Sequence, residues 1–98
     1  MNLYLVDITF KDFNTEEFLF LIPKQRKIIS ELVTNGKIIS CSLAEDRSKL
    51  WIVMLANNEF ETRITVNSFP LRIYMDFDIH KLVFNSNSIS KIMPLSLN

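Results

Sequence analysis

The sequence is poor in the residues that build compact functional motifs. It has one glycine, Gly36, which excludes a glycine-rich loop that cradles phosphates. It has one cysteine, Cys41, which excludes an intramolecular disulfide. No second cysteine and no histidine stand at ligand spacing from Cys41, so we expect no metal, no cofactor and a buried, inert thiol.

The sequence also lacks an excess of either charge. Its 11 basic and 11 acidic residues cancel, whereas nucleic-acid-binding proteins usually carry a basic excess. No apolar run approaches the ~20 residues that span a bilayer. The first residues lack the basic region and cleavage site of a secretory signal. Together with the single cysteine, these absences predict a cytoplasmic protein with no nucleic acid and no membrane as partner.

Apolar residues are plentiful. They make up 48% of the 98 residues, and eight are phenylalanines, which indicates a packed fold. A domain of this size buries a modest core, so assembly would add stability.

The first half of the chain predicts a strand followed by a long helix. Residues 3–10 alternate as in a strand, and their β-branched and aromatic content supports one. One face carries Tyr4, Val6, Ile8 and Phe10, and the other carries Leu3, Leu5, Asp7 and Thr9. A capping box of Asn14 and Glu17 predicts the start of a helix that runs to about Thr34. Pro23 predicts a kink or a broken first turn, because it lacks a backbone donor.

The middle of the chain predicts a hairpin and a second helix. Residues 37–44 and 49–56 read as strands joined by the polar turn EDRS. Residues 57–68 form a weaker helical pattern, with a second capping box at Asn58 and Glu61. Several β-branched residues there lower the helix propensity.

The stretch FPLRIYMDFDIHKLVF, residues 69–84, predicts a fourth strand. One face should pack under the helices and carries Ile73, Met75, Phe77 and Ile79. The other should be a polar lining and carries Arg72, Tyr74, Asp76, Asp78 and His80. Burying the two carboxylates without partners would cost several kcal/mol, so the register should be strongly fixed.

The predicted order βαββαβ is that of the ferredoxin-like α+β fold. In this fold both helices cover one face of a four-stranded antiparallel sheet, and the fourth strand lies beside the first. Residues 50–55, LWIVML, are apolar on both faces, so the second face also needs a cover. A second copy of the sheet is the simplest cover and would form a dimeric α+β barrel. We expect one domain at residues 1–84 and an apolar tail at residues 85–98 that docks on a neighbouring subunit of a homo-oligomer.

Three residues of the first and fourth strands are candidates for acid–base catalysis: Asp7, Asp76 and His80. Histidine titrates near neutral pH and could shuttle a proton. If the fourth strand pairs with the first, Asp7 lies near Asp76 or Asp78, and paired carboxylates can make a general base. Alternatively, His80 is a surface histidine, and Asp7 is hydrogen-bonded in an interface or solvated at the barrel mouth.

Four residues are candidates for ligand binding. Tyr4, Trp51 and Tyr74 could line a pocket for a small ring compound, although such side chains more often belong to the core or an interface. Arg47, in the EDRS turn, could bind a substrate carboxylate, although mixed charges in a turn usually mark a solvated tip.

The stretch FPLRIYMDFDIHKLVFNSNSI resembles the muconolactone isomerase family, which also shows a Leu-Pro-Leu segment, Tyr-Met-Asp, an alternating strand and a Ser-Ile tail. The stretches NLYLVDITF and ELVTNGKI also match the sequence pattern of this family, so the resemblance covers residues 2 to about 89. It implies a dimeric α+β barrel in higher oligomers, and an ancestral activity that moves a double bond in a small lactone by proton transfer. It transfers no catalytic residue, because the family's histidine and basic residue in the first strand are Leu5 and Asp7 here.

Two hypotheses follow. The chain is a cofactor-free isomerase or lyase acting on a small lactone or enol acid, with Asp7, Asp76 and His80 as acid–base groups. Alternatively, it is a non-catalytic oligomeric scaffold or small-ligand-binding protein that kept the fold. Convergence of the three residues on one concave pocket would favour the enzyme.

Overall fold

A computed structural model describes residues 1–83 of the chain. The elements follow in the order β1 (Asn2–Phe10), α1 (Glu16–Thr34), β2 (Ile38–Leu43), β3 (Lys49–Ala56), α2 (Glu59–Asn67), a 3-10 turn (Arg72–Tyr74) and β4 (Met75–Leu82). The tail for which docking on a neighbouring subunit is predicted, residues 85–98, lies outside the described residues.

The four strands form one antiparallel sheet in the order β2-β3-β1-β4. This confirms the ferredoxin-like α+β fold, with β1 and β3 in the centre and β4 beside β1. The predicted bounds of β3 agree with the structure, and β2 is one residue shorter at each end than predicted.

One face of the sheet carries both helices and the core. Val6 and Ile8 of β1, with Ile52 and Met54 of β3, are fully buried on this face. Their cluster includes buried residues of both helices, among them Phe18 of α1. Strand alternation is the cause, because every second side chain points to the same face.

The start of α1 differs from the prediction. Its N-cap is Thr15, whose Oγ1 accepts a hydrogen bond of 3.3 Å from the backbone N–H of Phe18. The predicted box of Asn14 and Glu17 is therefore wrong by one position. The helix continues unbroken through Pro23, which lies on the solvent side, where water can hydrogen-bond the carbonyl that loses its partner. Beyond its end Gly36 has a φ of 81°, the left-handed conformation that glycine adopts readily.

At the start of α2, one of the two hydrogen bonds of the predicted capping box is present. The Asn58 side chain accepts a hydrogen bond of 2.9 Å from the Glu61 N–H. The Glu61 carboxylate, however, accepts from the backbone and side-chain nitrogens of Asn57, one residue earlier than a capping box requires. These hydrogen bonds lower the pKa of Glu61.

The fourth strand begins at Met75, not at Phe69, so the predicted strand was too long. The preceding residues form the 3-10 turn, in which the Arg72 guanidinium donates to Asn67 Oδ1 and to the Met75 carbonyl. Because the turn interrupts the alternation, Ile73 is 72% exposed rather than under the helices. Arg72 and Tyr74 also leave the predicted polar lining, because both lie in the turn before β4.

The second face of the sheet, which we call the open face, carries no helix within residues 1–83. Its centre is an apolar band formed by alternate side chains of three strands: Leu3, Leu5, Trp51, Val53, Leu55 and Leu82. Trp51 is 37% exposed there. The strand β3 is thus apolar toward both faces, as predicted from its sequence.

Neither helix of the described chain is long and apolar enough to cross a membrane.

Candidate functional site

The predicted acid–base residues all lie on the open face. In the pairing of β1 with β4, Asp7 stands opposite Asp78, Thr9 opposite Asp76, and Leu5 opposite His80. Asp76 and His80 are exposed along the edge strand β4. The register therefore aligns the acids along one strand pair, as the sequence pattern suggested.

Ion pairs with lysines hold two of these acids. Lys49 Nζ lies 2.7 Å from Asp7 Oδ1 and donates to Thr9 Oγ1 at 2.8 Å. Lys11 Nζ lies 3.5 Å from Asp76. His80 makes no side-chain hydrogen bond to any other residue of the described chain. Within residues 1–83 no three His, Cys, Asp or Glu side chains come together as a metal site.

The predicted ligand-binding residues do not converge. Tyr4 is buried in the core, and Tyr74 packs edge-on against Phe18 with ring centroids 5.3 Å apart. Trp51 lies on the open face, on the other side of the sheet. Of the four, Arg47 alone lines the cavity described next.

A cavity of about 470 Å³ lies between α1 and the sheet, and we call it the α1 pocket. Its walls are mainly apolar and include Phe10, Phe13, Phe18, Ile22, Leu43 and Leu50. None of Asp7, Asp76 and His80 is among its lining residues. The acid–base candidates and the cavity are therefore on opposite faces of the sheet.

Gln25 is a polar residue in the wall of this pocket that the sequence analysis missed. It is 6% exposed, and its Oε1 accepts a hydrogen bond of 3.1 Å from the Leu71 N–H. Its Nε2 is buried without a hydrogen-bond partner among the described residues. A glutamine between Ile22 and Ile29 on the apolar stripe of α1 was the available signal.

Two arginines line the pocket from different elements. Arg26 belongs to α1, and Arg47 belongs to the turn between β2 and β3, where its φ is 68°. Neither forms an ion pair with another residue of the described part. The neighbouring Asp46 accepts hydrogen bonds from the backbone and hydroxyl of Ser48, which lower the pKa of Asp46.

Cys41 also lines the α1 pocket. The prediction of a buried thiol is wrong, because Cys41 is free and exposed. Apolar neighbours nevertheless disfavour the thiolate, so desolvation raises the pKa of Cys41 above its ordinary value.

Comparison with known proteins supports the fold. No protein-family model matches the sequence, and no curated protein matches it. A crystal structure of muconolactone isomerase matches this chain with a TM-score of 0.70 and 19% sequence identity. The match covers 89% of this chain and 94% of that chain. The resemblance noted in the sequence is confirmed at the level of the fold: the chain has the fold of muconolactone isomerase.

Proposed function

We propose that the chain is a non-catalytic small-ligand-binding protein that acts as a homo-oligomer and holds its ligand in the α1 pocket. The observation that carries this proposal is the separation of Asp7, Asp76 and His80 from the cavity. A general acid or base must lie within hydrogen-bond reach of the atom it protonates or deprotonates. The described residues that line the α1 pocket include arginines and an amide but no carboxylate and no histidine. This lining favours binding over proton transfer.

The apolar band on the open face supports the oligomer. Trp51 is 37% exposed on the open face, and contact with water is unfavourable for apolar surface. A second copy offers the same band, so a two-fold axis would pack apolar side chains against each other and leave the acidic edge at the rim. The sequence resemblance implies the same dimeric barrel. The exposed free thiol of Cys41 fits a reducing compartment such as the cytoplasm.

A second candidate is the isomerase itself. Asp7 stands opposite Asp78, and His80 follows two residues later on the same strand. Closure of a second copy over the open face would enclose these groups and exclude water, conditions that favour acid–base catalysis. In that case the substrate would be a small lactone or enol acid bound between two sheets.

Ligand binding and turnover, measured on the purified full chain, distinguish the two candidates. A panel of lactones, enol acids and larger carboxylic acids is screened by thermal shift, and double-bond migration is followed by ultraviolet absorbance. We expect some panel members to raise the melting temperature, since a ligand at 100 times its Kd stabilises by about 2.7 kcal/mol. We expect no turnover.

Two variants assign the site. Ser30→Phe fills the α1 pocket from an exposed position on α1 and should abolish the thermal shift. His80→Ala should leave it unchanged. Turnover that disappears in His80→Ala would contradict the proposal and establish the isomerase.

A further inference from the structure

We infer that the ligand of the α1 pocket is a monocarboxylate with an apolar body larger than a single lactone ring. This inference rests on the proposed function and names its ligand class. It differs from what the resemblance to muconolactone isomerase implies, namely a small lactone.

The size of the pocket sets the size of the apolar body. Cavities of about 300–1,000 Å³ hold entire drug-sized ligands, and the α1 pocket measures about 470 Å³. A single five-membered ring would leave much of it empty, and the walls would lose their dispersion contacts.

The walls set the chemistry of that body. Phe10 and Phe18 already form an edge-on pair with ring centroids 5.3 Å apart, so an aromatic or alkyl body meets ring surface. Gln25, the buried polar side chain among the described wall residues, is anchored to the Leu71 backbone. A ligand rich in polar groups would find few partners among the described walls.

The two arginines indicate that the polar group at one end of the ligand is negatively charged. Arg26 and Arg47 approach the pocket from α1 and from the hairpin turn, and neither is neutralised by an acid of residues 1–83. Asp46, the acid next to Arg47, is engaged by Ser48 instead. Lys49, in contrast to these two arginines, is neutralised by Asp7 on the open face. A planar guanidinium binds a carboxylate through two parallel hydrogen bonds, so a carboxylate head complements an arginine in this lining.

The binding experiment compares acids with matched neutral amides on the full-length protein. The probes are 2-naphthoate and decanoate, each paired with its amide, 2-naphthamide and decanamide. We expect each acid to bind roughly tenfold more tightly than its amide, the range of one charge-assisted hydrogen bond. Arg47→Gln should remove that difference for both pairs. Arg63→Gln on α2 makes the same change in net charge away from the pocket and should preserve it.

The thiol of Cys41 supplies an independent readout of the site. As the single cysteine, it reports on the pocket alone when its alkylation by iodoacetamide is followed by mass spectrometry. At alkaline pH, which offsets its raised pKa, we expect 2-naphthoate to slow alkylation severalfold. Ser30→Phe should remove the protection by naphthoate.

The carboxylate, the size of the apolar body and the accessibility of the pocket are each contradicted by a different result. Amides that bind as tightly as acids, or an unchanged preference in Arg47→Gln, would overturn the carboxylate while leaving a binding protein. Binding of lactones in preference to every larger acid would overturn the size of the body. A thiol that resists alkylation in ligand-free protein would show that another part of the chain or a second copy fills the pocket, which also overturns the inference.

Discussion

The carboxylate of Asp7 lies 2.7 Å from the ammonium of Lys49 on the open face of the sheet. Asp7 also stands directly opposite Asp78 on β4, where like charges repel each other. Lys49 therefore offsets the accumulation of negative charge in the centre of the sheet.

Removing Lys49 should consequently reveal this repulsion. We expect Lys49→Met to destabilise the fold by about 0.5–1 kcal/mol, the upper range for partly exposed ion pairs. In a double-mutant cycle with Asp7→Asn, the second change should recover most of that loss. Urea unfolding at neutral pH measures all four proteins. Strictly additive effects of the two changes would show that the ion pair contributes nothing to the free energy of unfolding.

The sequence predicted the sheet well because its signals are local. The bounds of β3 follow from a continuous apolar run. Gly36 follows the end of α1 with a left-handed φ that another residue would resist. The turn before β4 was missed because Ile73 and Tyr74 continue the alternation that predicts a strand. Side-chain bonds of Arg72 to the neighbouring backbone and to Asn67 close the turn instead, and these contacts do not appear in a pattern of hydrophobicity.

The sequence placed the acid–base candidates on one face but missed the cavity. The alignment of Asp7 with Asp78 follows from strand order and register, which periodicity predicts. The α1 pocket is the space that the side chains of α1, the sheet and the β2–β3 turn leave unfilled between them. Cavity volume depends on the packing of three elements, so Gln25 and Arg26 could not be recognised as neighbours of Arg47 from spacing alone.

Two phenylalanines on α1 should differ sharply in their contribution to stability. Phe18 is buried between the rings of Phe10 and Tyr74, whereas Phe20 is 75% exposed. We expect Phe18→Ala to reduce the free energy of unfolding by about 3–5 kcal/mol, through lost burial and a residual cavity. Phe20→Ala is the matched control and should cost less than about 0.5 kcal/mol. Thermal and urea unfolding measure both. Equal losses would contradict the placement of the helix on the sheet.

Acid should destabilise the fold partly through Glu61. Hydrogen bonds from Asn57 lower the pKa of Glu61 in the folded protein below its ordinary value of 4.5. A lowered folded pKa means that the stabilisation is complete above the unfolded pKa and is lost as the pH falls through the folded pKa. Melting temperatures between about pH 3 and pH 6 should therefore decline less steeply in Glu61→Gln than in the native chain. Parallel curves for the two proteins would show that Glu61 does not titrate with unfolding.

The open face offers a direct test of assembly, because Trp51 lies in its apolar band and is the single tryptophan of the chain. If a second copy packs on this band, Trp51→Lys places an ammonium in an apolar interface without a partner, at a cost that exceeds the interaction energy of most interface residues. We expect sedimentation at low micromolar concentration to show an oligomer for the native chain and a monomer for Trp51→Lys. Phe60→Lys is the control, since Phe60 is 69% exposed on α2, away from the open face.

Fluorescence adds a second readout: dilution of the native chain should shift the Trp51 emission to longer wavelength as the band becomes solvated. A native chain that sediments as a stable monomer, or a Trp51→Lys variant that remains an oligomer, would exclude the open face as the interface.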